Sequence, residues 1–249
     1  MKGITVLSLL ALATTLRAQS SIPNGTILPV TLNSSLNSKK SKVGQHITAR
    51  LAQDVPLPSG SKIREGSKVT GHILAVTPAA KTTGASLSLQ FDAIRTSGRL
   101  VPITTDLRAL ASMMTVLDAE TPDTAPEYGT PPTAWVTRQI GGEINYHSGP
   151  ITHGSAIVGQ SVLGGGALVR VAPNDRGQCR GEIGHNPEPQ AVWVFSSDAC
   201  GAYGFQDLAV SHAGRTEPLG QIVITAHTRE VNVPGGSGLL LRVINLTEK

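Results

Sequence analysis

The chain has 249 residues, of which 39% are hydrophobic, 15% charged and 3% aromatic, and its formal net charge is +4. That length supports one large β domain or two small ones, and so few charges leave Ser, Thr, Asn, Gln and Gly to make the surface. A nucleic-acid binder is excluded, because it needs a concentrated basic face and aromatic platforms. The basic cluster Lys39-Lys40-Ser41-Lys42 reads instead as a solvated turn.

Residues 1–18 have the layout of a secretory signal peptide. Lys2 supplies the charge, Ile4 to Leu12 the apolar run, and Ala18 the small residue before Gln19. The run is shorter than the roughly 20 residues of a spanning helix, and no later run approaches that length. Cleavage after Ala18 removes Lys2 and Arg17 and lowers the formal charge by two units. A periplasmic or secreted location is therefore expected, with no transmembrane segment in the mature chain.

From residue 22 to 108 the pattern is that of a small barrel-like β module. Leu28, Val30 and Leu32 alternate with their neighbours, as do Ile47, Ala49 and Leu51, and then Leu87, Leu89, Phe91 and Ala93. A period of two marks strands with one face in the core. Val69 to Val76 and Leu100 to Thr104 add further strands. Pro23-Asn24-Gly25, Pro58-Ser59-Gly60 and Thr96-Ser97-Gly98 supply turns, and Ser97-Gly98 predicts a hairpin.

Residues 109–147 read as a Pro-rich linker or long loop, after one or two helical turns over Leu107 to Met114. The prolines between Thr121 and Pro132 forbid a regular helix or a central strand. Asp118, Glu120, Asp123 and Glu127 gather here as hydrated linker residues. Trp135 follows Pro131-Pro132 and is the best single candidate for contact with a ligand or partner.

Residues 148–246 read as a β-sandwich-like module. Its candidate strands are Ala156 to Val162, Ala167 to Ala172, Ala191 to Phe195, Leu208 to His212, Gln221 to Thr225 and Leu239 to Ile244. Ala191 to Phe195 and Leu239 to Ile244 are nearly continuous apolar runs, which suits burial on both faces. The two cysteines, Cys179 and Cys200, are expected to pair in an oxidising compartment. Closing that loop would stabilise the fold by roughly 3 kcal/mol in the chain-entropy model.

No catalytic set emerges. Ser196-Ser197-Asp198 and His212 lack the Gly-x-Ser-x-Gly elbow of an α/β hydrolase and read as turn residues before Cys200. The seven histidines are scattered; His147 and His153 flank Ser148-Gly149-Pro150, with no carboxylate at ligand spacing. No metal or cofactor is expected. Trp193, inside an apolar run, reads as core.

Ile22-Pro23-x-Gly25-Thr26, Leu32, Ser35, Gly44, Ala49-Arg50, Asp54-Val55, Pro58-x-Gly60-Ser61 and Gly71-His72 carry a resemblance. Over residues 22–103 the chain resembles the periplasmic β-barrel domain of the TrbI-like family of conjugation and type IV secretion proteins. The matching positions are turn glycines, prolines and strand apolars, so the resemblance implies a barrel scaffold and not a pore. The chain departs from that family in carrying a cleavable signal and an unrelated second module.

The expected fold class is all-β: a barrel-like N-terminal module, a Pro-rich linker and a β-sandwich-like C-terminal module. The expected function is that of an exported, non-catalytic envelope or extracellular protein that binds a protein or a surface polymer. Two alternatives stand beside it: an accessory of a bacterial secretion or conjugation machine, and a carbohydrate-active hydrolase. The hydrolase requires two carboxylates or a His–carboxylate pair to converge in one cleft, and dispersal of Glu143, Asp198 and Glu182 on loops removes it.

Overall fold

The structure is a computed structural model that describes residues 21–81, 83–123, 135–174, 188–211 and 219–244. The signal reading of residues 1–18, most of the Pro-rich stretch, Cys179, Glu182, His185 and His212 lie outside the described residues. The predicted Cys179–Cys200 bridge therefore has one end outside them.

Nine strands come first: β1 (Ile27–Leu32), β2 (Leu36–Asn37), β3 (His46–Leu51), β4 (Val55–Pro56), β5 (Lys62–Ile63), β6 (Lys68–Thr77), β7 (Ala85–Thr96), β8 (Arg99–Pro102) and β9 (Thr105–Ala111). Helix α1 (Met113–Glu120) leads to β10 (Val136–Arg138), β11 (Ile144–Tyr146), β12 (Pro150–His153), β13 (Ala156–Ser161), β14 (Ala167–Val169) and β15 (Gln190–Ala191). The last strands are β16 (Gly201–Tyr203), β17 (Leu208–Ser211), β18 (Ile222–Ala226), β19 (Asn232–Val233) and β20 (Gly238–Val243).

The molecule is mostly β, as its period-two patterning requires. One sheet runs in the order β16-β9-β20-β1-β3-β6-β7-β18-β17, with β8 added to β7. Its end strands β16 and β17 approach each other, so the sheet curls into a nearly closed barrel. The β9–β16 pair is parallel, and the remaining pairs of this sheet are antiparallel. A second, antiparallel sheet runs in chain order from β10 to β15.

The alternation read from the sequence fills the barrel. Leu28, Val30, Leu32, Ile47, Leu51, Leu87, Leu89 and Phe91 are all buried in one core. The β7–β8 hairpin turns at Ser97 and Gly98, with φ of 49° and 74°. Two positive φ values in succession match the right-handed twist of the flanking strands. At Gly71 the β6–β7 register shifts, and a Cβ there would meet Gln90 O at 1.9 Å. Glycine is needed at that position because the neighbouring backbone occupies the place of a side chain.

The second sheet packs on the outside of the wall made by β9, β20 and β1. On the inner side of that wall, Leu28, Leu107, Leu110, Leu239 and Leu241 face the barrel core. On the outer side, Ile27, Ala109, Ala111 and Leu240 meet Ile140, Ile151, Val169, Val192 and Phe195. Both faces of β20 are thus apolar, which is why Leu239 to Ile244 reads as a continuous run. Two buried glutamines stitch the layers together. Gln190 Oε1 accepts from Ile27 N at 3.1 Å. Gln53 donates to Ala167 O at 3.0 Å and accepts from Ala167 N and Trp193 N at 3.2 and 2.7 Å.

The pairing departs from a barrel followed by a sandwich. Strand β20 pairs with both β1 and β9, and β18 pairs with β7, so strands from residues 201–243 complete the barrel begun by residues 27–111. Alternation shows which face of a strand is buried; it does not show which strand lies beside it. The expected sandwich is replaced by one six-stranded sheet laid on the barrel wall. The stretch read as a linker holds the end of β9, α1, β10 and β11.

Two local readings are corrected as well. Leu107 to Ala111 lie in β9 and are fully buried; pairing with β20 and β16 overrides their helical propensity. The helix starts only at Met113, where Ser112 Oγ accepts from Thr115 N at 3.2 Å as an N-cap. The run Ala191 to Phe195 is buried as expected, yet it leaves the sheet after Ala191 and turns at Trp193, whose φ is 54°. Among the described residues, no helix is long and apolar enough to cross a membrane.

Candidate functional site

A cleft of about 390 Å³ lies where α1, the second sheet and the barrel rim meet. This falls within the usual ~300–1,000 Å³ of small-ligand sites. Trp135 and Thr137 come from the start of β10, Gln139 from the turn after it, Asn145 from β11, and His147 and Ser148 from the β11–β12 turn. Glu120 ends α1, Glu65 reaches in from the barrel, and Gly164-Gly165-Gly166 closes one side. Trp193 lies deeper, where Gln53 fixes its amide and Gln139 Nε2 donates to its carbonyl at 3.3 Å. The Trp135 and His147 rings are 6.2 Å apart and tilted by 52°.

Buried polar atoms in folded proteins nearly always have partners. Three side chains lining this cleft each keep a buried atom without one: Trp135 Nε1, Gln139 Oε1 and Asn145 Oδ1. Leaving such a group unpaired costs about 1–3 kcal/mol. Backbone strain collects here too. Ser97, Ser148 and Trp193 are the non-glycine residues with positive φ among those described, and two of them, Ser148 and Trp193, line the cleft. A left-handed backbone is unfavourable for a bulky residue, and such strain clusters at ligand clamps.

A second polar group lies under the turn at residues 196–199, between barrel wall and second sheet. Arg242 Nη2 bonds Asp106 Oδ2 at 2.8 Å across β20 and β9. The register shift between Leu240 and Leu241 leaves Arg108 as the extra residue on β9, and its Nη2 donates to Ala172 O at 2.6 Å. Desolvation pushes the Arg108 guanidinium down to about 10, with Arg242 beside it adding to the effect. Glu143, its side chain fully buried, accepts from Ser197 Oγ and, at 3.0 Å, from Ser197 N. His153 Nδ1 lies 3.9 Å from its Oε1.

Burial raises the Glu143 pKa despite the two hydrogen bonds from Ser197, which favour the carboxylate. The folded state thus binds this proton more tightly than the unfolded chain does. The stabilisation from this group is fully present below the unfolded value, near 4.5, and is lost as pH rises through the folded value. Glu143→Gln mimics the protonated acid. The stability of wild type relative to Glu143→Gln should therefore fall as pH rises from acid to neutral, measured by denaturant unfolding of both proteins. A difference that does not change with pH would contradict this assignment.

The structure places the residues singled out from the sequence as follows. Trp135 is half-buried and lines the cleft. Cys200 lies just before β16, its amide donating to Tyr203 Oη at 3.0 Å. His147 and His153 are not brought together; they stand at opposite ends of β12, and among the described residues no cluster of His, Cys, Asp or Glu has metal-binding geometry. Glu143 and Asp198 do come close, but neither lines the cleft. Asp198 accepts from Ser196 Oγ at 2.8 Å. Lys39, Lys40 and Lys42 are exposed, as a solvated turn requires.

Sequence reasoning missed Gln139, Asn145, Glu65 and Glu120 as cleft residues, and Trp193 in its second role. They come from separate segments and share no spacing that could reveal them. No protein-family model matches this chain, and no curated protein matches it.

Proposed function

We propose that this is an exported, non-catalytic binding protein of the cell envelope or extracellular space, and that it holds its partner in the cleft beside Trp135. The observation that carries the reading is the set of buried, unpartnered polar atoms on Trp135, Gln139 and Asn145 around one cavity. A fold that keeps such groups at a cost to its own stability gains if a ligand supplies the missing bonds. The carboxylate that burial perturbs, Glu143, is sealed under the Ser197 turn, away from the cleft. In that position it does not reach a ligand held in the cleft.

The reading is tested by binding to isolated envelope and surface-polymer fractions. Wild type should be retained, and Trp135→Ala should lose at least about tenfold in affinity, equivalent to ~1.4 kcal/mol, with its melting temperature little changed. Equal retention of both proteins, or release of new reducing ends from the polymer, would overturn it. The exported location is tested separately by mass spectrometry of the mature N-terminus, expected at Gln19.

A further inference from the structure

Resting on that reading, we infer that the Trp135 cleft takes a neutral, hydroxyl-rich saccharide segment. Three properties of the lining select this chemistry.

The first is charge. Among the described residues the lining has no Lys or Arg; its carboxylates are Glu65 and Glu120, and His147 is its imidazole. A phosphate, sulfate or uronate would find no guanidinium or ammonium partner among them. Both glutamates are exposed and screened by solvent, so they do not make a strong site for a cation either.

The second is the kind of hydrogen bond left open. Side chains lining the cleft carry an unpaired donor, Trp135 Nε1, and two unpaired acceptors, Gln139 Oε1 and Asn145 Oδ1; all three atoms are shielded from solvent, so a ligand reaches them by turning these side chains toward the cavity. Gln139 is 4% exposed, and its Nε2 is already engaged with Trp193 O, so its free oxygen is fixed as an acceptor. A hydroxyl both donates and accepts, so one repeating ligand group can answer all three. Ser148, Ser161 and Thr137 belong to the same lining, with Ser161 Oγ donating to Gly149 O at 2.9 Å. The indoles of Trp135 and Trp193 add apolar surface for the C–H faces of a sugar ring.

The third weighs against a peptide. An extended peptide binds by adding a strand to a free sheet edge. At the outer edge of β10, beside the cleft, Val136 O already accepts from Asp123 N at 2.8 Å. One of the backbone acceptors an added strand would need is therefore taken.

The test is calorimetric titration of the full mature protein with neutral oligosaccharides from glucan, mannan, galactan, xylan and chitin. Polygalacturonate serves as the anionic probe and an oligolysine as the cationic peptide probe. At least one neutral oligosaccharide should bind saturably at one site, and neither charged probe should compete with it. Asn145→Leu should weaken that binding about tenfold or more while the melting temperature holds or rises, since it deletes an unpaired buried acceptor. A structural role for Asn145 would instead lower both. Tighter binding of either charged probe, or no saturable binding by any neutral oligosaccharide, overturns the inference. If envelope material is still retained through Trp135 in that case, the binding reading stands and only its saccharide identification falls.

Discussion

Asp106→Ala should cost about 3–5 kcal/mol, the loss expected when one partner of a buried ion pair is removed. The Asp106 and Arg242 side chains are 2% and 8% exposed and bond at 2.8 Å. Arg108 emerges from the same wall, and its lowered pKa already reflects the Arg242 charge beside it. Deleting the Asp106 carboxylate leaves two guanidinium groups close together in a dry layer, deprived of that counter-charge. Urea unfolding of wild type and variant reads the difference directly. The paired change Asp106→Leu with Arg242→Met should recover much of the loss, because buried charges carry a large desolvation cost that an apolar pair avoids. A loss below about 1 kcal/mol for Asp106→Ala, the scale of an exposed pair, would show that this layer is open to water.

Phe195→Ala should be comparably damaging, at about 3–5 kcal/mol. The ring is fully buried between barrel wall and second sheet, in the cluster with Ile140, Val192 and Leu240. It lies over β20 at Gly238, where an added Cβ would come within 3.4 Å of Phe195 Cε2 and 3.1 Å of Trp193 Cζ3. A glycine at the start of that strand makes room for both rings. The Phe195 amide also closes the turn on Val192 O at 2.9 Å. Because Trp193 occupies that turn, the variant should lose ligand binding along with stability. Phe195→Leu, which keeps most of the volume, should lose less of both. Unchanged unfolding of Phe195→Ala would contradict the packing of the second sheet on the barrel.

The sequence was informative where one residue's environment is set by its immediate neighbours. The alternation in Leu28 to Leu32 and Leu87 to Phe91 showed which side chains face a core, and Ser97-Gly98 announced its hairpin. The continuous apolar run at Leu239 to Ile244 signalled burial on both faces, and the structure supplies the two layers responsible. Partnership between distant strands was not legible. Nothing local in Ile27 to Leu32 says that it pairs with Gly238 to Val243 rather than with a strand of its own half. The helical propensity of Leu107 to Ala111 obscured β9, and the Pro-rich composition after Thr121 obscured β10.

At the candidate site the same division holds. Trp135 stood out because a lone indole beside prolines is unusual in a chain with few aromatics. Gln139 and Asn145 did not, because an amide becomes informative only when its burial and missing partner are known. Trp193 was readable as buried; its left-handed backbone, and hence its place on the cleft floor, depends on the Gln53 side chain reaching over from the barrel.

The most direct measurement is the indole N–H region of a proton–nitrogen NMR spectrum, recorded during titration with a neutral oligosaccharide that the protein binds. Only Trp135 and Trp193 contribute there, and Trp135→Phe assigns the pair. The Trp135 signal should move downfield to saturation as its unpaired N–H finds a hydroxyl. Saturable binding that leaves the Trp135 indole signal in place would put the ligand elsewhere on the protein.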